Sequence, residues 1–346
     1  MNLAHLWIEI LRGLLSLSIG SAVLIALGTG LVLLGVLSRR FTFILVPLGV
    51  GLILANFGAY SPSSVLGFLY SWGIATNLLP LLAALGLGAL VDLRPVLARP
   101  RVALASLPVI AAVLVMLVIA GALGFPLKTA AASSLAGSLN IPALLFTTNA
   151  LNPETAQPAG LAVLLFPLIL AWAAARLPGG SFPEAEPDDL RRQTTTRTVD
   201  LATQSVFSLF ILLLVGLFFS PGLPLTAAFL VGTFLHAAGS SRDDPARWPA
   251  RLAEAGLALI AFCLGSSLAA GAVFAPSSLQ QIGVALAGLV VQLGGFWLLA
   301  RAGWMRPLQA ADGPDSIQQA APALAVIFLS GTVLSGILIT IASALP

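Results

Sequence analysis

The sequence predicts an all-α integral membrane protein, with about ten transmembrane helices in two inverted repeats and one re-entrant hairpin. Three observations lead there. The 346 residues are 58% hydrophobic and only 8% charged, where a soluble domain carries about 25% charge. Uncharged stretches run from Gly13 to Ser38, Phe41 to Val91, Val102 to Leu127, Thr155 to Ala175, Leu201 to Ser241, Ala255 to Ala300 and Ser316 to the end. The basic residues are also distributed lopsidedly along the chain, as described below. A net charge of +3 is too sparse for a nucleic-acid surface. One cysteine, Cys263, and two histidines, His5 and His236, leave little for a disulfide, a cysteine-built metal centre or a histidine-based catalytic pair.

A bilayer core takes about 20 apolar residues per helix, so the longest uncharged stretches must fold back at turns. Gly and Pro place those turns at 58–64, 221–224 and 275–278. Helices are expected near 14–37, 41–58, 76–91, 102–124, 157–176, 203–219, 222–238, 254–274, 279–300 and 320–344. They are helices because lipid offers unpaired backbone no hydrogen-bond partner; the short alternating strands of a barrel are missing from the pattern. The first apolar run exceeds the about 7–15 residues of a signal-peptide core and is read as the first helix. Segment 62–74, with Tyr70 and Trp72, reads as a helix lying at the membrane interface.

Segment 128–150 begins at Lys128, is rich in Ala, Ser, Thr and Asn, and has Pro142 inside it. Such backbone is tolerated at membrane depth only when buried in protein or lining a cavity. If it enters and leaves by one face, then Arg39, Arg40, Arg94, Arg99, Arg101, Arg176, Arg191, Arg192, Arg197, Arg242, Arg247, Arg251, Arg301 and Arg306 share one side of the membrane. Arg12 and Lys128 alone fall on the other, a 14-to-2 division. The positive-inside rule makes the arginine side cytoplasmic and puts both termini outside, in a multi-pass protein of a bacterial-type inner membrane.

The chain resembles itself at a spacing of 177–179 residues. Val46-Pro47-Leu48 running to Asn56-Phe57 matches Leu223-Pro224-Leu225 running to Thr233-Phe234, and Leu85-Gly86 matches Leu264-Gly265. Five crossings per unit force the second unit to sit inverted. The expected organisation is a first repeat at 1–177 holding the hairpin 128–150, a cytoplasmic linker at 178–202, and a shortened second repeat at 203–346. Inverted repeats with broken helices are a transporter architecture.

Asn140, Ser138, Ser133, Ser134, Thr147 and Asn149 form the candidate ion-binding cluster. Oxygen ligands suit a hard alkali cation, and a broken helix adds free carbonyls. The same residues also suit capping of two half-helices and bonding to neighbouring helices. Asp92, Arg94, Arg99 and Arg101 make a basic loop that either docks a soluble partner or anchors the cytoplasmic face. Gln292 reads as interhelical glue, His236 as a residue that snorkels or hydrogen-bonds near the cytoplasmic end of its helix, and Cys263 beside Gly265 as small-residue packing. Asp312-Gly313-Pro314 reads as an ordinary turn. No phosphate-binding glycine loop and no charge inside a span is present, so an autonomous catalytic site is not expected.

The stretch Leu85-Gly86-Leu87-Gly88-Ala89-Leu90-Val91-Asp92-Leu93-Arg94-Pro95-Val96-Leu97-Ala98-Arg99-Pro100-Arg101 resembles a signature of the beta subunit of sodium-pumping biotin-dependent decarboxylases, the family of oxaloacetate and methylmalonyl-CoA decarboxylase beta chains. Leu45-Val46-Pro47-Leu48-Gly49-Val50-Gly51-Leu52-Ile53-Leu54-Ala55-Asn56 is similar to that family's early helix. The resemblance covers roughly residues 15–305 and implies a pump that couples decarboxylation of carboxybiotin to sodium export. The biotin rides on a decarboxylase partner, a small single-span subunit accompanies it, and a homo-oligomer is implied as well. This chain departs from the family at Ala136-Gly137-Ser138-Leu139-Asn140-Ile141-Pro142-Ala143, where Asn140 stands in place of the family's sodium-linked Asp. The family's second hairpin is deleted before the last helix. These departures suit an alternative, a non-pumping relative acting as membrane scaffold or regulator, or a carrier of another small solute.

Overall fold

Apolar side chains cannot hold the chain together where the surroundings are equally apolar, so helices in such a protein meet through small residues and a few polar bonds. The computed structural model describes residues 17–38, 42–91, 93–98, 100–164, 200–239, 247–301 and 316–345, and all regular structure in them is helical. α1 (Ile19–Ser38) and α2 (Thr42–Asn56, containing Pro47) pack side by side. α3 (Val65–Tyr70) runs into a π turn at Ser71–Ala75 and then bends by 56° into α4 (Leu78–Ala89). The bend falls at Asn77, whose φ of 64° puts it in the left-handed region that asparagine tolerates. Most of segment 62–74, expected as a helix at the membrane interface, forms the first arm of this bent pair. Tyr60, in the loop before it, stacks edge-on against Tyr70 at 6.5 Å, and burial raises its phenol above the ordinary value.

After α5 (Arg94–Ala98) and a 3₁₀ turn (Pro100–Ala105) comes α6 (Ser106–Ala122). The hairpin follows as α7 (Leu127–Ser134), a tight turn at Leu135–Ser138, and α8 (Ile141–Leu151). α9 covers residues 156–164. The second half holds α10 (Leu201–Phe218), α11 (Leu223–Gly239), α12 (Arg247–Ser267), α13 (Ala270–Val273), α14 (Pro276–Arg301) and α15 (Ser316–Ala344). The helix expected over 254–274 is thus interrupted at Leu268 and Ala269. Asn56 holds that break together: its Nδ2 donates to the Leu268 carbonyl at 3.0 Å and its Oδ1 accepts from the Ala270 N–H at 3.0 Å.

Four helices among the described residues are long and apolar enough to cross a bilayer alone, and the bent pair α3–α4 makes a fifth; α2, α8 and most of α10 are apolar but shorter. Of the expected linker 178–202, only the last residues lie among those described.

Two helix crossings anchor the bundle, and glycine permits both. A Cβ on Gly51 in α2 would lie 2.6 Å from the Phe262 carbonyl oxygen and 2.7 Å from the Ser266 nitrogen of α12. A Cβ on Gly232 in α11 would run into the Leu85 carbonyl and lie 2.6 Å from the Ala89 nitrogen of α4. The partners correspond, since Phe262, Gly265 and Ser266 each follow Leu85, Gly88 and Ala89 by 177 positions. The facing glycines Gly265 and Gly88 are equally tight against the backbone of Leu48 and Phe229. His236 makes the expected hydrogen bond near the α11–α4 crossing, with Nδ1 2.9 Å from the Ala89 carbonyl.

A candidate ion site at the broken hairpin

Pro142 explains where the hairpin breaks. It has no N–H to offer the carbonyl four residues back and sits comfortably in the first turn of a helix, so α8 begins at Ile141 and the chain before it is free to turn. Leu139 takes up that turn with φ 54°, a strained conformation for a branched side chain. The hairpin starts and finishes at one place, because Asn152 Nδ2 donates to Thr129 Oγ1 at 2.9 Å across its base.

Asn140 stands at the apex, 2% exposed. Its Oδ1 caps α8 by accepting from the Ala143 N–H at 3.1 Å, and its Nδ2 donates to the Phe328 carbonyl of α15 at 2.9 Å. Gly331 leaves room for it, since a Cβ there would lie 2.8 Å from the Asn140 Cβ. Two turns further on, the Thr147 and Ser335 hydroxyls hydrogen-bond at 2.6 Å. Both pairs are 188 positions apart, so α8 and α15 run parallel and in register.

The remaining candidates separate into groups. Ser133, Ser134 and Ser138 are wholly buried and donate to the Thr129, Ala131 and Leu135 carbonyls at 2.7, 2.8 and 2.7 Å. Ser138 also accepts from the Asn140 N–H at 3.3 Å, which joins it to the apex. Asn149 lies toward the base and faces another element, donating to the Ile74 carbonyl and to Asn77 Oδ1 at 2.6 and 2.8 Å. Asn149 thus ties the hairpin to the α3–α4 bend. In the basic loop, Asp92, Arg99 and the side chain of Arg101 lie outside the described residues, as does Asp312-Gly313-Pro314. Arg94 opens α5 and is half-buried.

The polar atoms at the apex are oxygens and amides. Among the described residues no group of three His, Cys, Asp or Glu comes together, which leaves a donor set suited to an alkali cation rather than a transition metal. Sequence reasoning missed Asn56, Asn77, Asn152 and Ser335. Asn152 had a readable signal, since Asn-Pro-Glu is a helix-start pattern and Asn152 Oδ1 accepts from the Glu154 N–H at 3.2 Å. The interhelical bond expected of Gln292 is absent: the residue is fully buried and both amide atoms lack a partner.

The chain matches the family model for the Na+-transporting oxaloacetate decarboxylase beta subunit over residues 20–309. It is 30% identical over 190 residues to oxaloacetate decarboxylase beta chain 2 of Salmonella typhi, covering 52% of this chain and 42% of that protein. It is 27% identical over 240 residues to the oxaloacetate decarboxylase beta chain of Haemophilus ducreyi, covering 66% and 53%. To the methylmalonyl-CoA decarboxylase subunit beta of Veillonella parvula it is 30% identical over 142 residues, covering 41% and 38%. The matched region is about half or less of each relative's own length. With most of its residues inside the family model and identities near 30%, the chain belongs, as a divergent member, to the family of Na+-transporting oxaloacetate decarboxylase beta subunits.

Proposed function

We propose that the chain is the membrane subunit of a biotin-dependent decarboxylase complex and carries sodium outward through the hairpin region. Membership of the beta-subunit family over residues 20–309 carries this reading. Carboxybiotin on a partner subunit supplies the driving decarboxylation. This chain's residues bind and release the ion: Asn140 and Ser138 at the apex, with Thr147 and Ser335 below. Ser133 and Ser134 line the first arm, and Asn149 anchors the second. Asp92, Arg94, Arg99 and Arg101 form the partner-docking loop, and a small single-span subunit and further copies of the chain complete the assembly.

The arginine-rich loops face the cytoplasm and the hairpin opens outward. The Asn152–Thr129 bond across the hairpin base supports this orientation, because a segment that returns to its starting face preserves the 14-to-2 division of basic residues. The matched glycine crossings support two inverted repeats, since α2 on α12 and α11 on α4 use corresponding residues.

A second reading is a relative that no longer pumps and serves as scaffold or regulator. Asn140 favours it, because its amide brings no charge and both ends of it are already bonded. Proteoliposomes holding this chain together with the biotin-bearing subunits of a decarboxylase complex separate the two. Decarboxylation that drives sodium uptake, and loses it on Asn140→Ala, is the expected result. Complex assembly with decarboxylation indifferent to sodium supports the scaffold.

A further inference from the structure

Gln292 is fully buried without a hydrogen-bond partner for either amide atom, a state it shares among the described residues with Gln204. A buried amide with neither donor nor acceptor satisfied opposes the conformation that contains it. Its place is specific. Gly288 and Gly295, one turn to either side on α14, both face α6, where added Cβ atoms would meet Met116 and lie 2.8 Å from Pro108. Gln292 shares that face. The Met116 sulfur is also 2.8 Å from a Cβ placed on Gly137, and α14 packs on the turn Leu135–Ser138. The idle amide therefore lies on the α6–α14 seam against which the apex of the hairpin rests.

The apex has complementary needs. Pro142 denies the Ser138 carbonyl its helical donor, Leu139 is held in the left-handed region, and the Asn140 N–H makes a long 3.3 Å bond to Ser138. A strained turn held by long hydrogen bonds thus rests on the same seam as a glutamine lacking both a donor and an acceptor.

We propose that Gln292 is a positioning residue for a second arrangement of the hairpin, in which its amide hydrogen-bonds the backbone around Leu139. The hairpin then has two stations. In the one described, Asn140 is bonded to α15 and Gln292 is idle. In the other, the apex shifts along the α6–α14 seam, the Asn140–Phe328 bond opens and Gln292 takes up the released backbone. Two discrete packings of one element are a common basis for switching. This inference deepens the transport reading by naming what receives the hairpin when it moves.

Hydrogen–deuterium exchange of the purified full chain, read by mass spectrometry in potassium buffer without sodium, tests it independently of any sodium site. Gln292→Leu and Gln292→Met keep the volume and remove the amide. Both are expected to raise the unfolding temperature and to slow exchange several-fold in peptides covering 135–144, with peptides from α1 and α2 unchanged. A purely structural glutamine would not produce that local slowing. A lowered unfolding temperature, or hairpin exchange equal to that of the unsubstituted chain, overturns the proposal.

Discussion

Asn140 does at one point what an asparagine at a helix start does in any protein, and then something more. Its oxygen caps α8, and its nitrogen reaches a carbonyl 188 positions away in α15. The cap was legible in the sequence, because Asn followed by Ile-Pro is a helix-start pattern. The reach to Phe328 was not, since a backbone acceptor leaves no trace in residue identity. Ser335 was equally hidden among the small residues of the last helix. The Thr147–Ser335 bond is the simplest of these contacts to measure. In a double-mutant cycle with Thr147→Val and Ser335→Ala, unfolding should give a coupling of about 0.6 kcal/mol, the typical size for a hydrogen bond between membrane helices. A coupling indistinguishable from zero would mean that α8 and α15 are held together by packing alone.

At the scale of elements, periodicity was a weak guide, because a helix in lipid has few polar residues to mark its faces. Charge spacing and Gly–Pro punctuation took its place and located α1, α2, α6, α11 and α14 closely. The break in 128–150 was legible from Pro142 and the run of small polar residues. The break after Ser267 was not, because it is held by Asn56, more than 200 positions away. The self-resemblance pairs the same helices as the glycine crossings but at other registers. It sets Leu85 on Leu264, 179 apart, where the crossing glycines Gly88 and Gly265 are 177 apart. The sequence paired α2 with α11 at 177, whereas the equivalent crossing glycines Gly51 and Gly232 are 181 apart, about one helical turn further. Those crossings predict opposite signs for one substitution. Gly51→Ala and Gly232→Ala each force a methyl onto backbone and should destabilise by about 1–3 kcal/mol. Gly30→Ala, where a Cβ meets nothing within 4 Å, should be neutral or stabilise by up to about 1 kcal/mol through helix propensity. Chemical denaturation in one detergent ranks the three, and equal effects would remove the special role of the crossings.

For the whole molecule, composition alone separated a membrane bundle from every soluble class, and residues 85–101 pointed to the family that the comparisons show. Activity was harder to read. Segment 128–150 holds amides and hydroxyls and no carboxylate, so the proposed ion site would depend on oxygen geometry rather than on a charge visible in the sequence. The proposed sodium transport requires that the apex hold an ion. The direct measurement is the unfolding temperature of the purified chain titrated with sodium against potassium at constant ionic strength. A ligand bound only by the folded state adds about 2.7 kcal/mol at a hundredfold excess over its Kd. A sodium site predicts a saturable rise in sodium that potassium does not reproduce and that Asn140→Ala abolishes. Coincident curves in the two salts, or a sodium-specific rise that survives Asn140→Ala, would contradict a sodium site at the hairpin.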